Sequence, residues 1–438
     1  MNRIWRKLPL LLVAAALLSG CTMTTVDQMY CPPRRSQEYS DLQVVIDDAM
    51  ENLSYSAPLS GENQQTVQMA DLDGDGVEEY LLFARGSSEK PLQILVFDQE
   101  DGRYCLRERI ESLGSAFEMV EYADVDGKPG AEIIVGRQVS NQVLRSVSVY
   151  SFADGDAQQL MATGYAKIVT ADLNRDGMTE LMVISPGETE ADNGSVSLYS
   201  FQDGTMSRSA EANLSEPAEQ IKRIMVSTLH GGMPAVYVAS AVDESAIITD
   251  VFALNGEKFA NISFSNESGT SVQTLRNYYI YADDIDGDGV LELPSLITMR
   301  NRNAADATYY LIRWYAMDST GEEVDKMYTF HNFDGGWYLQ LQPEWVPRIM
   351  VQQEANSYQF FLWDEEFENY EKIITVFAFT GTNRDEAAVE DNRFVLHKMD
   401  GVVYSARLEA ASAVLGLTQE RLTGSFHMIR REWKTGET

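Results

Sequence analysis

The chain holds 438 residues, of which 44% are hydrophobic and 23% charged. Its 67 acidic residues against 34 basic ones leave a net charge of −33, which argues against nucleic acid or anionic lipid headgroups as partners held by charge. So acidic a surface suits an extracytoplasmic setting with divalent cations, and it also keeps a chain soluble.

In chain order, Arg3, Arg6 and Lys7 come first as a positively charged start, followed by Leu8–Leu18, an apolar stretch of secretory type. It is too short to remain as a spanning helix. The stretch ends in Leu18, Ser19, Gly20 and Cys21, which resembles the lipobox of bacterial lipoproteins. The resemblance implies a signal peptide over residues 1–20, a diacylated thiol at Cys21, and a mature protein tethered to the cell membrane on its extracytoplasmic face. Two acyl chains suffice for stable anchoring. An ordinary secretory signal with an incidental cysteine is the alternative. No later run of 18 or more apolar residues appears, so nothing else is expected to span. Cys31 and Cys105 remain, and an oxidising compartment would permit a bridge whose geometry the spacing does not reveal.

Residues 21–39, polar and containing Pro32, Pro33, Arg34 and Arg35, read as a tether. Over residues 40–64, Ser40 to Gln43 resembles a capping box. Behind it Leu42, Val45, Ile46, Ala49, Met50 and Leu53 follow helical spacing, which predicts a short amphipathic helix docked on the main body.

From Gln65 the texture changes to short strands and turns, and a repeat emerges. Four stretches align: "DLDGDG" from Asp71, "DVDGKP" from Asp124, "DLNRDG" from Asp172 and "DIDGDG" from Asp284, with starts 53, 48 and 112 residues apart. The last interval is twice 56, so a degenerate copy is expected near Thr228, where "STLHGGMPAVYVAS" keeps the apolar run without a carboxylate. Out of phase with this mark, alternating strands close in turns ending at Gly102, Gly155, Gly204, Gly256, Gly321 and Gly401. The two marks predict units near 66–112, 118–164, 166–214, 222–265, 278–331, 336–372 and 373–410. Units of about 40–60 residues hold four short strands each, the signature of propeller blades.

The expected fold is therefore all-β, a seven-bladed β-propeller over residues 65–410, with a short N-terminal helix and a lipoprotein signal peptide before it. Runs such as Tyr80–Ala84, Ile133–Val135 and Leu181–Ile184 are nearly all apolar, as strands buried on both faces between neighbouring blades require. A pair of β-sandwich domains is the rival, disfavoured because the unit repeats with no linker between copies. Residues 411–438 read as a closing segment. There Glu409–Leu422 suits a helix interrupted by Gly416, and Phe426–Trp433 suits a strand. One end of the chain is expected to complete a blade begun by the other.

Within each acidic stretch, oxygen donors fall on alternate residues. Position 1 is Asp71, Asp124, Asp172 or Asp284, and position 3 is Asp73, Asp126, Asn174 or Asp286. Position 5 is Asp75, Lys128, Asp176 or Asp288, and position 9 is Glu79, Glu132, Glu180 or Glu292. Alternate oxygen ligands with a glycine at position 6 are what a hard cation of calcium size requires. Gly76, Gly177 and Gly289 supply that glycine, and Val77, Met178 and Val290 would offer a backbone carbonyl at position 7. An EF-hand would need an acid at position 12, which is Leu82, Val135, Val183 or Ser295. The pattern instead resembles the calcium loops of integrin-α-like FG-GAP/VCBS propeller repeats. That resemblance implies a loop joining two strands of one blade, a glutamate closing the cage as the second strand begins, and calcium as a structural cofactor. The loop from Asp124 departs from the pattern: Lys128 replaces an acid and Pro129 the glycine. It is expected to be vacant, its ammonium standing in for the ion.

No catalytic constellation stands out. His230, His331, His397 and His427 show no ligand spacing and read as surface or turn residues. No serine sits in a Gly-x-Ser-x-Gly elbow. Trp314, Trp337, Trp345, Trp363 and Trp433 crowd the last third, with Tyr309, Tyr310, Tyr315 and Tyr338 nearby. Exposed, Trp314, Trp337, Tyr338 and Trp345 would make a surface for sugar rings or a protein partner. Packed inside, such residues would enlarge the cores of blades without metal. The function expected is a non-catalytic binding or scaffold module for a protein or an envelope glycan. Its rival is a propeller-based polysaccharide hydrolase or lyase, which a deep pocket with two or three acids of opposed protonation would mark.

Overall fold

The computed structural model describes residues 37–139, 144–189, 191–301 and 307–430. The residues read from the sequence as a signal peptide, together with Cys21, Cys31 and Trp433, lie outside the described residues. The chain divides into two compact units. The first comprises the residues up to Pro58, Gln65–Ala70 and Val77–Leu113; the second comprises Leu59–Gln64, Asp71–Gly76 and the chain from Gly114.

In the first unit, helix α1 spans Gln37–Ala49. It begins three residues before the expected cap, so Ser40 lies within the helix. Leu42 and Ile46, one turn apart on the same face, are buried against Leu82, Ala84, Leu95 and Phe97. Those four belong to strands β3 (Glu79–Arg85) and β4 (Leu92–Glu100) of a sheet completed by β1 (Ser54–Tyr55), β2 (Val67–Ala70) and β5 (Arg103–Ser112). The short β1 and β2 follow one another along one edge of β3, Tyr55 opposite Ala84 and Val67 opposite Leu82. Arg109 of β5 donates to the carbonyl of Ala49 at 3.2 Å, satisfying an acceptor left open at the end of α1.

The second unit contains five more antiparallel sheets. Sheet two is β6 (Ala116–Ala123), β7 (Glu132–Gln138), β8 (Arg145–Ser151) and β9 (Gln158–Tyr165). Sheet three is β10 (Lys167–Ala171), β11 (Glu180–Ser185), β12 (Ser195–Gln202) and β13 (Thr205–Asn213). Sheet four is β14 (Ile221–Thr228), β15 (Pro234–Ala241), β16 (Ile247–Asn255) and β17 (Lys258–Asn261). This is the degenerate copy expected near Thr228. Sheet five is built on β18 (Leu293–Thr298), β19 (Tyr310–Met317), β20 (Glu323–Asn332) and β21 (Trp337–Leu341), and sheet six on β22 (Ile349–Glu354), β23 (Ser357–Trp363) and β24 (Tyr370–Thr380).

Within the second unit, strands that follow one another in sequence are mostly neighbours in space, and apolar layers separate consecutive sheets. On β11, Leu181 and Val183 face Ile134, Val147 and Val149 of sheet two, while Met182 and Ile184 face Val236 and Val238 of sheet four. On β15, Ala235 and Tyr237 turn the other way, towards Leu293 and Tyr315 of sheet five. Strand periodicity thus sends alternate side chains into two different cores. This is the arrangement of propeller blades, and the fold is all-β with blade-type meanders.

A bulge recurs in the hairpins of five sheets. Register shifts at Val96/Phe97, Val149/Tyr150, Leu198/Tyr199, Trp314/Tyr315 and Phe360/Phe361, each time at an apolar residue followed by an aromatic one.

Six sheets are present among the described residues, where seven units were expected. The expected units 336–372 and 373–410 are not separate blades. Trp337–Leu341 is a strand of sheet five, and the hairpin of β25 (Phe394–Met399) and β26 (Val402–Leu408) joins sheet six, with β26 paired to β24. A hairpin alone cannot bury an apolar face, so it docks on an open edge, although its turn at Gly401 carries the same sequence mark as a blade. After it, helix α3 (Gln419–Gly424), preceded in the chain by the short α2 (Arg384–Ala387), leads into β27 (Phe426–Met428). Strand β27 pairs with β21, Trp337 opposite Met428. Among the described residues the C-terminal strand therefore completes sheet five and not a blade begun at the N-terminus.

Candidate metal centres

Three of the acidic stretches link the first and second strands of a sheet: β2 to β3, β6 to β7, and β10 to β11. The fourth leads into β18 and is closed by a bridge between Asp283 and Glu292, whose backbone groups exchange hydrogen bonds of 3.1 and 2.9 Å. Position 1 organises each loop through its own backbone. Asp172 accepts from the amides of Arg175 at 2.6 Å and Gly177 at 3.1 Å. Asp284 accepts from Gly287 at 2.7 Å and Gly289 at 3.0 Å, and Asp71 from Gly74 at 2.8 Å and Gly76 at 3.0 Å. Asp124 has the first contact only, Gly127 at 2.7 Å, because Pro129 has no N–H to give. The position-6 glycines take φ of 85° at Gly76, 90° at Gly177 and 84° at Gly289, a left-handed turn that other residues adopt at a cost.

Position 9 closes three of the loops in the same way. One carboxylate oxygen of Glu132, Glu180 and Glu292 accepts the amide of position 2, from Val125 at 2.8 Å, Leu173 at 2.8 Å and Ile285 at 3.0 Å. The other oxygen is left to face the loop. In Glu132 and Glu292 that oxygen, Oε1, is buried without a hydrogen-bond donor. Oxygens of Asp124, Asp126 and Glu132 lie within 4.8 Å of one another, as do those of Asp284, Asp286 and Glu292. In the third loop Asn174 donates to Glu180 Oε1 at 2.9 Å and to Asp176 at 2.8 Å. Glu79 opens β3 and is buried. Desolvation pushes the carboxyls of Glu132 and Glu180 above their ordinary range, and that of Glu292 up to about 7. All-oxygen donors converging on a buried acid are groups that fit a hard divalent cation. Val77, Met178 and Val290 directly follow the turn glycines.

The loops are also tied to one another. The carbonyl of Asp71 accepts from Ala131 at 2.9 Å, and that of Asp124 from Thr179 at 2.7 Å, so position 1 of one loop holds position 8 of the next. Arg175 donates to the carbonyl of Gly232 in the degenerate turn, and Thr228 donates to the carbonyl of Gly289 at 3.2 Å.

Two lysines stand beside acids. Lys128 bonds outward to Asp154 at 2.9 Å and lies 3.9 Å from Asp126, so its charge is shared between the rim and the loop. Lys326, from β20, lies 2.5 Å from Asp288. Spacing could not reveal it, because it comes from a different strand 38 residues on.

The aromatic surface is not formed. Trp314 is 0% exposed, Trp337 1%, Tyr338 7% and Trp345 7%. Trp337 packs on Phe426 at 5.3 Å and on Phe330 at 5.9 Å, in the core shared by sheets five and six. The reading as larger cores is the one the structure supports. His331, expected at the surface or in a turn, is buried beside Tyr338 and Trp314, whereas His230, His397 and His427 are exposed. A further polar cluster had no sequence signal. Asp250 of β16, fully buried, accepts from the amide and hydroxyl of Ser215, the hydroxyl of Ser271 at 2.6 Å and the amide of Asn261 at 2.8 Å.

No curated protein matches the chain in sequence. Among solved structures it is similar to the exotype rhamnogalacturonan lyase YesX, at 12% identity and a TM-score of 0.29 over 74% of this chain and 81% of that one. The rhamnogalacturonan lyase PL11 of Bacillus licheniformis overlaps at 11% identity and a TM-score of 0.30, over 72% and 78%. TolB of Acinetobacter baumannii overlaps at 9% identity and 0.24, over 77% and 69%. Overlaps this loose carry no inference about what the chain does. The specific match is local: residues 165–199, which contain the loop from Asp172 to Glu180 and the strands on either side, match the FG-GAP repeat family, so the chain contains an FG-GAP repeat.

Proposed function

We propose that this protein is a lipid-anchored, extracytoplasmic β-propeller that binds calcium structurally and serves as a non-catalytic binding or scaffold module for a protein or an envelope glycan. The observation that carries the calcium reading is the repeated cage, in which a buried glutamate spends one oxygen on the backbone and turns the other towards the position-1 and position-3 acids. The ligands Asp71, Asp73, Asp75 and Glu79, with their counterparts at Asp172, Asn174, Asp176 and Glu180 and at Asp284, Asp286, Asp288 and Glu292, supply charge that a dication neutralises. Because the loops grip one another through backbone hydrogen bonds, an ion in one stiffens its neighbour. The lipid at Cys21 would hold the module at the membrane, and the recurrent cages would keep it folded in a calcium-containing medium.

Thermal melting of the full mature chain tests the calcium part. Saturating calcium should raise the melting temperature by roughly 5 °C or more, and chelator should reverse it. Indifference to both would sink the metal reading. Capture from envelope extract with the calcium-loaded chain, followed by a glycan screen, tests the binding role; turnover of a polysaccharide in that screen would replace it with the hydrolase or lyase reading.

A further inference from the structure

The loop from Asp284 carries one contact that is particular to it. Lys326 Nζ lies 2.5 Å from Asp288 Oδ2, 3.9 Å from Glu292 Oε1 and 4.0 Å from Asp286 Oδ2, and its side chain is only 16% exposed. Glu292 is completely buried and its Oε1 has no hydrogen-bond donor. The ammonium therefore faces three of the acids from which a metal cage would be made.

We propose that Lys326 is a resident counter-ion of the Asp284 cage: without metal its ammonium neutralises the acids, and a divalent cation enters this loop only by displacing it. The inference rests on the calcium reading above and adds that the four loops differ in their need for the ion. Calcium takes its oxygens at about 2.3–2.6 Å, which requires Asp286, Asp288 and Glu292 to turn inward together. Asp288 is instead held by Lys326. A positive charge about 4 Å from two ligand oxygens also repels an incoming dication through a poorly screened path. The stem of Lys326 is flexible and rooted in β20 of the same sheet, so displacement is a local swing and requires no rearrangement of strands.

The other loops offer the comparison. Lys128 engages Asp154 and leaves its cage half-compensated. In the Asp172 loop the neighbouring donor is the neutral amide of Asn174, which gives hydrogen bonds but no charge. Calcium withdrawal should then loosen the Asp172 loop while sheet five keeps its internal cation.

Calcium titration calorimetry and melting of the full chain, as wild type, Lys326→Met and Lys326→Met with Asp284→Asn, test this. Lys326→Met should lower the melting temperature without calcium, enlarge the rise that calcium brings, and tighten one calcium site by about tenfold. That gain should vanish in the double variant. A purely structural lysine would lower both melting temperatures equally and leave affinity unchanged, and that result, or weaker calcium binding by Lys326→Met, overturns the proposal. If the wild type takes up no calcium but Lys326→Met takes up one equivalent, the general metal reading fails and this one stands; if neither does, both fail.

Discussion

His331 lies on β20 with its ring 4.9 Å from Tyr338 and 6.0 Å from Trp314, and burial pushes its pKa down to about 3. The folded chain thus refuses a proton that the unfolded chain takes up near 6.5. The stability this contributes is complete above pH 6.5 and is lost as pH falls from there towards 3. Replacing His331 with Phe should remove that dependence: between pH 7 and pH 5 the wild type should lose about 2 kcal/mol more than the variant in urea unfolding. Equal losses would show that the imidazole is reached by water. Asp250 is a buried polar group of another kind. Desolvation raises its pKa, and the donors from Ser215, Ser271 and Asn261 hold it. Asp250→Ala should cost about 3 kcal/mol by stranding those donors, measured by the same unfolding. At this scale the acidic clusters of the loops were legible, because their spacing is a local pattern. Lys326, His331 and Asp250 were not, since each owes its role to side chains on other strands or loops that residue spacing does not reveal.

The loops act as a linked series of turns, and Gly130 shows how closely they approach. A Cβ there would meet the carbonyl oxygen of Leu72 at 2.4 Å, and its φ of 102° is itself left-handed. Gly130→Ala should push the Asp71 and Asp124 loops apart, break the hydrogen bond from Ala131 to Asp71, and cost about 2–4 kcal/mol. Melting with and without calcium checks it: the variant should recover less stability from the ion than the wild type does. At the scale of elements the sequence marks were good guides to hairpins. Turns at Gly102, Gly204 and Gly401 join paired strands as the alternation implied. They were poor guides to ownership, because a turn glycine looks the same whether its hairpin completes a blade or, like β25 and β26, extends one. Helix α1 was found by its apolar spacing, while its start was misplaced because the capping residues lie inside it.

Across the whole molecule, all-β architecture and repetition were readable, and the number of sheets was not. Among the described residues there are six sheets, and the hairpin added to the edge of sheet six carries the same glycine turn that suggested a seventh unit. The charge of −33 belongs to this scale as well. Self-repulsion among so many carboxylates is screened over about 8 Å in physiological salt, so sodium chloride should stabilise the chain gradually. On the proposed calcium reading, calcium should do so at far lower concentration and should outperform magnesium, which demands tighter octahedral geometry. Melting curves at matched ionic strength separate the two effects; equal responses to magnesium and calcium would mean that screening alone is at work.

The recurrent bulge has a further consequence, for how these molecules meet one another. In the first three sheets it sits between the last two strands, so β5, β9 and β13 are each bent and overtwisted along the rim. Strand β13 adds exposed Arg208 and Glu211, and β5 alternates Arg103, Arg107 and Arg109 with Glu108 and Glu111. A straight, uncharged margin would invite a second chain to extend the sheet. Copies that meet edge to edge along β5 or β13 would find a kinked, salt-studded border that makes the encounter unproductive.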